Sequence, residues 1–332
     1  MHYVPSLDGL RAVAVVAVMA YHARISGTQG GFLGVDLFFV LSGYLITRIL
    51  LEERVQTGTL RFGAFYRRRL RRLYPALLLL LAVYLAASPW LPATRGNHLA
   101  QAAVTALYLS DYGVAFWRTP WLLSHTWSLS VEEHFYLIWP LVLWLVLRLT
   151  ERTWLPAAVV MALAATLWRW HVVYYIDVWQ QPYFRFDTRL SGLLIGAAGA
   201  IWKPSRTRWM PVLGIPLLVY AAWNAQPQDP TSLTIWMLLA ELGALLLILG
   251  ANRLSALSWW PLVWLGKLSY GLYLWHFPAM LLLRGEGITG WNAMAIGGTF
   301  ALACAVMSYA TVERLSRSKD RDRPQPLATA PS

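Results

Sequence analysis

A chain of 332 residues that is 58% hydrophobic and only 13% charged is too apolar for an ordinary soluble domain. Its formal charge of +12 does not mark a nucleic-acid binder, because the basic residues concentrate in short loops between oily segments. The single cysteine, Cys304, excludes an intramolecular disulfide and a thiolate metal cluster.

Runs of about twenty apolar residues, each long enough for a helix to cross a hydrocarbon core of roughly 30 Å, recur along the chain. Candidate crossings fall at roughly 9–25, 32–51, 73–89, 131–148, 154–171, 189–202, 209–224, 232–250, 265–283 and 291–311. The expected fold class is all-α, a polytopic membrane bundle of about ten transmembrane helices. No cleavable signal peptide is evident at the first run.

The first crossing contains RAVAVVAVMAYH, with Arg11 and His22 at its ends. At about 100° and about 1.5 Å per residue, the eleven-residue separation puts both on one helix face, roughly 16 Å apart in depth. Ionisable groups inside such helices usually face a protein interior or a water-filled cavity. The pair would then line a passage for an elongated anion. The alternative is that Arg11 snorkels to lipid phosphates and His22 marks the opposite interface. The next crossing opens with GGFLGVDLFFVLSGYLIT. Asp36 starts near where His22 ends the first helix, and so either orients the imidazole or serves as an N-terminal helix charge. Gly31, Gly34 and Gly43 suit close helix contact.

The loop RFGAFYRRRLRR precedes the third crossing and carries Arg61, Arg67, Arg68, Arg69, Arg71 and Arg72. The positive-inside bias assigns it to the cytoplasm and the N-terminus with it. Arginine forks suit a ligand with several phosphates, and anionic lipid headgroups equally. The weaker apolar segment 98–116 decides the topology of everything after it. If it does not cross, the loops holding Arg148 and Arg152, Lys203, Arg206 and Arg208, and Arg253 and Lys267 all fall on the cytoplasmic side. The expectation is therefore ten crossings with both termini cytoplasmic.

Further on, HTWSLSVEEHFYLIWP offers Glu132 and Glu133 at the mouth of a crossing. Adjacent carboxylates point about 100° apart, so one of them turns inward, and periodicity does not say which. RFDTRLSGLLIG sets Arg185, Asp187 and Arg189 at the start of another span, as a self-neutralising cluster or as an acceptor site. SYGLYLWHFP puts Tyr270, Tyr273 and His276 on one side of a helix. No HExxH, paired cysteines or His/carboxylate ladder occurs, so no metal site is expected. Residues 314–332 read as a short disordered, basic and Pro-containing tail behind a single membrane domain, 1–313.

Taken in order, LDGLRAVAVVAVMAYH, GVDLFFVLSGYLIT, FYRRRLRRLYP, TWSLSVEEHFYL, FDTRLSGLLIG, SYGLYLWH and SYATVERL resemble the membrane acyltransferase 3 family. That bacterial group includes O-antigen and exopolysaccharide O-acetylases and macrolide O-acyltransferases. The resemblance implies a multi-pass protein of the bacterial inner (plasma) membrane. Its activity would be transfer of an acyl group, commonly acetyl, from a cytoplasmic acyl-CoA to a hydroxyl. It also implies that Arg11 and His22 are the family's Arg and His pair, and that Arg69 and Arg72 are its two loop arginines. His22 would be a general base or acyl relay, oriented by Asp36 or Glu133. Arg11, Arg69 and Arg72 would hold the donor, while Asp187, Arg189, Tyr270, His276 and Glu132 would contact the acceptor.

Many relatives resemble this chain but add a C-terminal esterase-like domain, and this chain ends soon after its last crossing. The expected acceptor is thus a carbohydrate, a glycolipid or a small molecule such as a macrolide. The partner is the lipid bilayer, with no nucleic acid and no metal. The competing expectation is a transporter or flippase that moves a polar lipid or metabolite without covalent chemistry.

Overall fold

Long apolar stretches in a chain with no competing strand pattern fold into helices, because in lipid each backbone donor and acceptor must be satisfied within its own segment. In the computed structural model the described residues are 3–91, 97–176, 178–202, 204 and 207–313. The tail expected at 314–332, and the loop residues Lys203 and Arg206, lie outside them.

In chain order the helices are α1 (Pro5–His22), α2 (Gly34–Thr57), α3 (Phe62–Ala87), α4 (His98–Ala106), α5 (Ser110–Trp117), α6 (Trp127–Val146) and α7 (Glu151–Tyr175). There follow α8 (Gln180–Phe184), α9 (Phe186–Ile201), α10 (Met210–Asn224), α11 (Met237–Leu249), α12 (Trp260–Lys267), α13 (Ser269–Gly285) and α14 (Gly290–Ser308). No strand occurs among the described residues. Pro5 opens α1, where its missing N–H costs nothing, and Asp8 sits in the first turn, where the helix dipole favours it. Gly58, at φ 73°, closes α2 in the left-handed conformation that glycine adopts without penalty.

Among the described residues six segments are long and apolar enough to cross a membrane: Gln29–Thr57, Phe62–Trp90, Ser124–Val146, Glu151–Tyr175, Ser232–Leu249 and Gly290–Thr311. The other four expected crossings are also helical, as α1, α9, α10 and α13, but are only 15 to 18 residues long. The ambiguous stretch 98–116 is not one helix. It breaks near Tyr108, at φ 54°, into α4 and α5 of nine and eight residues. Neither piece, at about 12–14 Å, reaches across a bilayer core.

Packing against α9 brings α2 unusually close. A side chain at Gly43 would strike the Leu193 carbonyl, and one at Gly196 would strike that of Val40, so only glycine fits at either position. Apolar residues such as Leu137, Leu141, Leu163, Val212 and Phe300 are exposed on the outside of the bundle, as a lipid-facing surface requires. Inside it, α1, α2, α6 and α13 surround the space in which the polar residues gather. Helices α1 and α13 run in the same direction, with Ser269 and Tyr270 beside the cavity that Asp8 and Arg11 line at one end and His276 against His22 towards the other.

Candidate functional site

At the end where α1 begins there is a cavity of about 350 Å³ that Arg11, Arg69, Arg72, Glu132, Tyr136 and Tyr270 help to line. A second space of about 370 Å³ shares Arg11, Arg72 and Tyr270 with it and adds Lys267. Arg11 comes from the second turn of α1. The three-residue spacing of Arg69 and Arg72 puts both on one side of α3. Arg11 is ion-paired with Asp8, which also accepts a 2.7 Å hydrogen bond from the Tyr3 hydroxyl. The Arg69 guanidinium lies 5.3 Å from the Tyr136 ring centre and 5.7 Å from that of Phe65. The Ser42 hydroxyl donates to Glu132 and accepts from Tyr136 at 3.1 Å. Tyr270 donates to the Leu73 carbonyl at 2.8 Å and so straps α13 to α3. Its polar, positively charged wall suits a polyanion.

At the other end of α1, His22 lines a separate cavity of about 450 Å³ with His125, Arg284, Trp127, Tyr183 and Phe277. The hydrogen bonds determine the protonation pattern of its imidazole. His276 Nδ1 lies 3.1 Å from the Leu272 carbonyl and 2.8 Å from that of Tyr273. Facing two acceptors, that nitrogen carries the proton, so Nε2 of a neutral His276 accepts. Its partner, at 3.0 Å, is His22 Nδ1, which must then donate. The basic lone pair of His22 is left on Nε2, the arrangement a general base requires.

The two cavities share no lining residue. Between them stands Tyr273, whose hydroxyl donates to the His125 carbonyl at 3.0 Å and accepts from Ser128 at 2.6 Å. The single passage expected from the Arg11 and His22 spacing is therefore divided here by a hydrogen-bonded aromatic partition.

Several expected roles need correction. Asp36 does not orient His22: it is fully buried against Arg189, its Oδ1 2.9 Å from that guanidinium. Arg189 lines neither cavity and packs among Phe39, Trp127 and Tyr183, with ring centres 5.3–5.4 Å away. Its acceptor-binding role falls because its charge is spent internally. Asp187 is likewise held by Arg185, at 2.6 and 3.0 Å, and by the Trp168 indole at 2.7 Å. Of the two adjacent glutamates it is Glu132 that turns into the basic cavity, and Glu133 lines neither space. His276 lines neither cavity and stands behind His22 rather than in front of a ligand. Arg11, Arg69, Arg72, Glu132 and Tyr270 do converge.

Two further charges, Arg169 and Glu241, lie outside the sequence motifs. They form a buried pair at 2.7 and 3.3 Å, with the Ser191 hydroxyl 2.7 Å from each. Each was visible as a lone charge within an apolar run. His125 opens the HTWSLSVEEHFYLIWP stretch with no role expected of it. Its Nε2 is 3.1 Å from the Leu274 carbonyl, and its buried Nδ1 has no hydrogen-bond partner among the described residues. Among those residues no group of three or more His, Cys, Asp or Glu side chains could hold a metal ion.

The fold and these cavities define a polytopic membrane protein that gathers cations at one end of a helix and a tautomer-fixed histidine at the other. A family model described as an acyltransferase domain matches residues 4–311, and the chain belongs to this membrane acyltransferase 3 family. It is 35% identical over 309 residues to the peptidoglycan O-acetyltransferase OatA of Listeria monocytogenes, covering 84% of this chain and 50% of that one. Similarity to the putative peptidoglycan O-acetyltransferase YrhL of Bacillus subtilis is 35% over 316 residues, covering 84% and 49%. The O-acetyltransferase OatA of Staphylococcus aureus is 33% identical over 350 residues, covering 96% and 58%. The chain thus spans about half the length of the relatives it matches. No solved structure matches it.

Proposed function

We propose that the protein is a membrane O-acyltransferase that takes an acyl group, acetyl in the simplest case, from acyl-CoA and passes it to a carbohydrate hydroxyl. The observation that carries this reading is the His276–His22 hydrogen bond, which leaves a basic nitrogen on a residue lining an aromatic, polar-edged cavity. Arg11, Arg69 and Arg72 supply the cationic surface that a nucleotide-bearing donor needs. With the arginine-rich side of α3 facing the cytoplasm, the donor enters from the compartment that makes it, and His22 lies towards the outer face of the plasma membrane.

In the proposed reaction His22 Nε2 removes the acceptor hydroxyl proton as its oxygen attacks the thioester carbonyl. The tetrahedral intermediate expels the thiolate of coenzyme A, which takes that proton from the imidazolium. The Tyr273 partition must open for the two substrates to meet. As to the acceptor, the relatives' names point to a cell-wall glycan for those proteins, which supports a sugar hydroxyl here over a macrolide.

The test uses purified protein in nanodiscs with radiolabelled acetyl-CoA and a cell-envelope glycan fraction. Labelled glycan is expected, and His22→Ala is expected to lower its formation by about 10²–10⁴-fold, the usual share of a general base, with thermal stability retained. Undiminished transfer by His22→Ala would remove the imidazole from the chemistry. Labelled protein in the absence of acceptor would make His22 an acyl relay instead of a base.

A further inference from the structure

We propose that Phe38 fixes the length of the acyl group this protein accepts, by closing the inner end of the cavity that Arg11, Arg69 and Arg72 help to line. This inference rests on the O-acyltransferase reading above and adds a specificity-determining residue to it.

The cavity follows α2 for much of its length. Its lining on that helix runs from Ile49 to Phe38 and Val35, and the eleven residues between Ile49 and Phe38 rise roughly 16 Å at about 1.5 Å each. Arg11, Arg69 and Arg72 stand at the end where α1 begins, so a donor held there by its phosphates points its thioester the other way. The lining changes along that path. Ser42, Glu132 and Tyr136 border its middle, whereas Val35, Phe38, Phe39, Ser128, Leu129 and Tyr273 surround its inner end. The Ser128 and Tyr273 hydroxyls are engaged with each other and with the His125 carbonyl, which leaves mainly carbon surface facing the space. That surface suits a short hydrocarbon group and not a charged one.

A second observation is the way this end is closed. Val35, Phe39, Leu129 and Tyr273 are buried, but Phe38 is half-buried and borders the cavity. Its ring meets the Tyr273 ring edge-on, with centres 6.4 Å apart and planes at 71°. Tyr273 is tied in place through its hydroxyl and yields only by breaking two hydrogen bonds. Phe38 has no such tie, so the room left for an acyl group depends on the size of its side chain. With the partition shut, each methylene beyond acetyl has to displace this ring.

The experiment compares acetyl-CoA with butyryl-CoA as donors to a cell-envelope glycan fraction, using the full chain in nanodiscs. Wild-type protein is expected to favour acetyl in kcat/KM by about 10²-fold, because each methylene too many in a fitted pocket costs about tenfold. Phe38→Ala should bring that ratio to within about fivefold of one, and Phe38→Leu should give an intermediate value. Calorimetric titration with coenzyme A, which has no acyl group, should give the same affinity in wild type and both variants. A ratio that neither variant moves overturns the assignment, and so does a wild type that uses butyryl-CoA as readily as acetyl-CoA. Weakened binding of coenzyme A in both variants also overturns it, because Phe38 then supports the whole cavity and not its inner end. Butyryl-CoA bound about tenfold more tightly by Phe38→Ala than by wild type, with no transfer from either donor, keeps Phe38 as the length gauge and sinks the acyltransferase reading.

Discussion

Two groups of charge inside this bundle are built in opposite ways. Between α2, α7, α9 and α11, Arg169 meets Glu241 and Arg189 meets Asp36, with all four side chains at most 1% exposed and none lining either cavity. Between α1, α3, α6 and α13, Arg11, Arg69 and Arg72 share a cavity with Asp8 and Glu132, and Lys267 stands in the adjoining space. The first group balances cation against carboxylate and leaves no room. The second has more cations than carboxylates and leaves about 350 Å³ open beside them. Charge in a membrane helix therefore carries two meanings, and what separates them is whether the charges close on one another or border an open cavity.

The largest expected effect lies in the closed group. Glu241→Ala leaves Arg169 buried without its carboxylate, which should cost about 3–5 kcal/mol and show as a collapse of yield and thermal stability in detergent. Adding Arg169→Met should recover much of that loss, because an apolar pair avoids the desolvation penalty altogether. A stable, fully active Glu241→Ala protein would break the comparison at its root.

The open group should respond in binding and not in folding. Arg69→Ala or Arg72→Ala should raise KM for acetyl-CoA about tenfold each, with little change in unfolding temperature, and the loss should shrink as salt rises. Lysine at either position should restore only part of the affinity, since it lacks the paired donors of a guanidinium. If these variants unfold while donor affinity holds, the arginines belong with the closed group.

A smaller effect with the opposite sign is expected at Glu132. Its carboxylate repels a polyphosphate in the same cavity, so Glu132→Gln should tighten binding of coenzyme A itself. One charge at effective dielectric constants near 20 is worth about 1 kcal/mol at distances beyond contact, or roughly fivefold. Calorimetric titration with coenzyme A checks both direction and size. Weaker binding would mean that Glu132 organises the arginines more than it opposes the ligand.

The residues also differ in how openly the sequence declared them. Ten oily runs and the arginines beside them were legible because lipid forces both hydrophobic length and the placement of positive charge. The grouping of Arg11, Arg69 and Arg72 came with the family resemblance, because charge alone suits the loop arginines to phosphates and to lipid headgroups equally. Pairings across helices were not legible, since periodicity fixes the face of one helix and says nothing of its neighbour. His22 and His276 are 254 positions apart. Asp36 reads from the sequence as a helix N-terminal charge or as a partner of His22; it does sit in the first turn of α2, and the close α2–α9 contact at Gly43 and Gly196 delivers it to Arg189. Arg169 and Glu241 carry the same kind of signal as Arg11, but no motif around them points to a partner. Glu132 and Glu133 could be separated only once the rotation of α6 was known.

The smallest expected effect concerns the partition that keeps the open group apart from His22. Tyr273 holds that partition by donating to the His125 carbonyl and accepting from Ser128. Tyr273→Phe keeps the ring and removes both contacts, a change of about 1 kcal/mol that should lower the unfolding temperature by only a few degrees. If the partition opens during turnover, the same loss favours the open form by up to about fivefold. Hydrolysis of acetyl-CoA without acceptor should then rise by that factor, because water reaches the thioester more often. A fall in transfer with no rise in hydrolysis would give a different result: the phenol would be donating to the developing oxyanion, and the division between donor and acceptor cavities would lie elsewhere along α13.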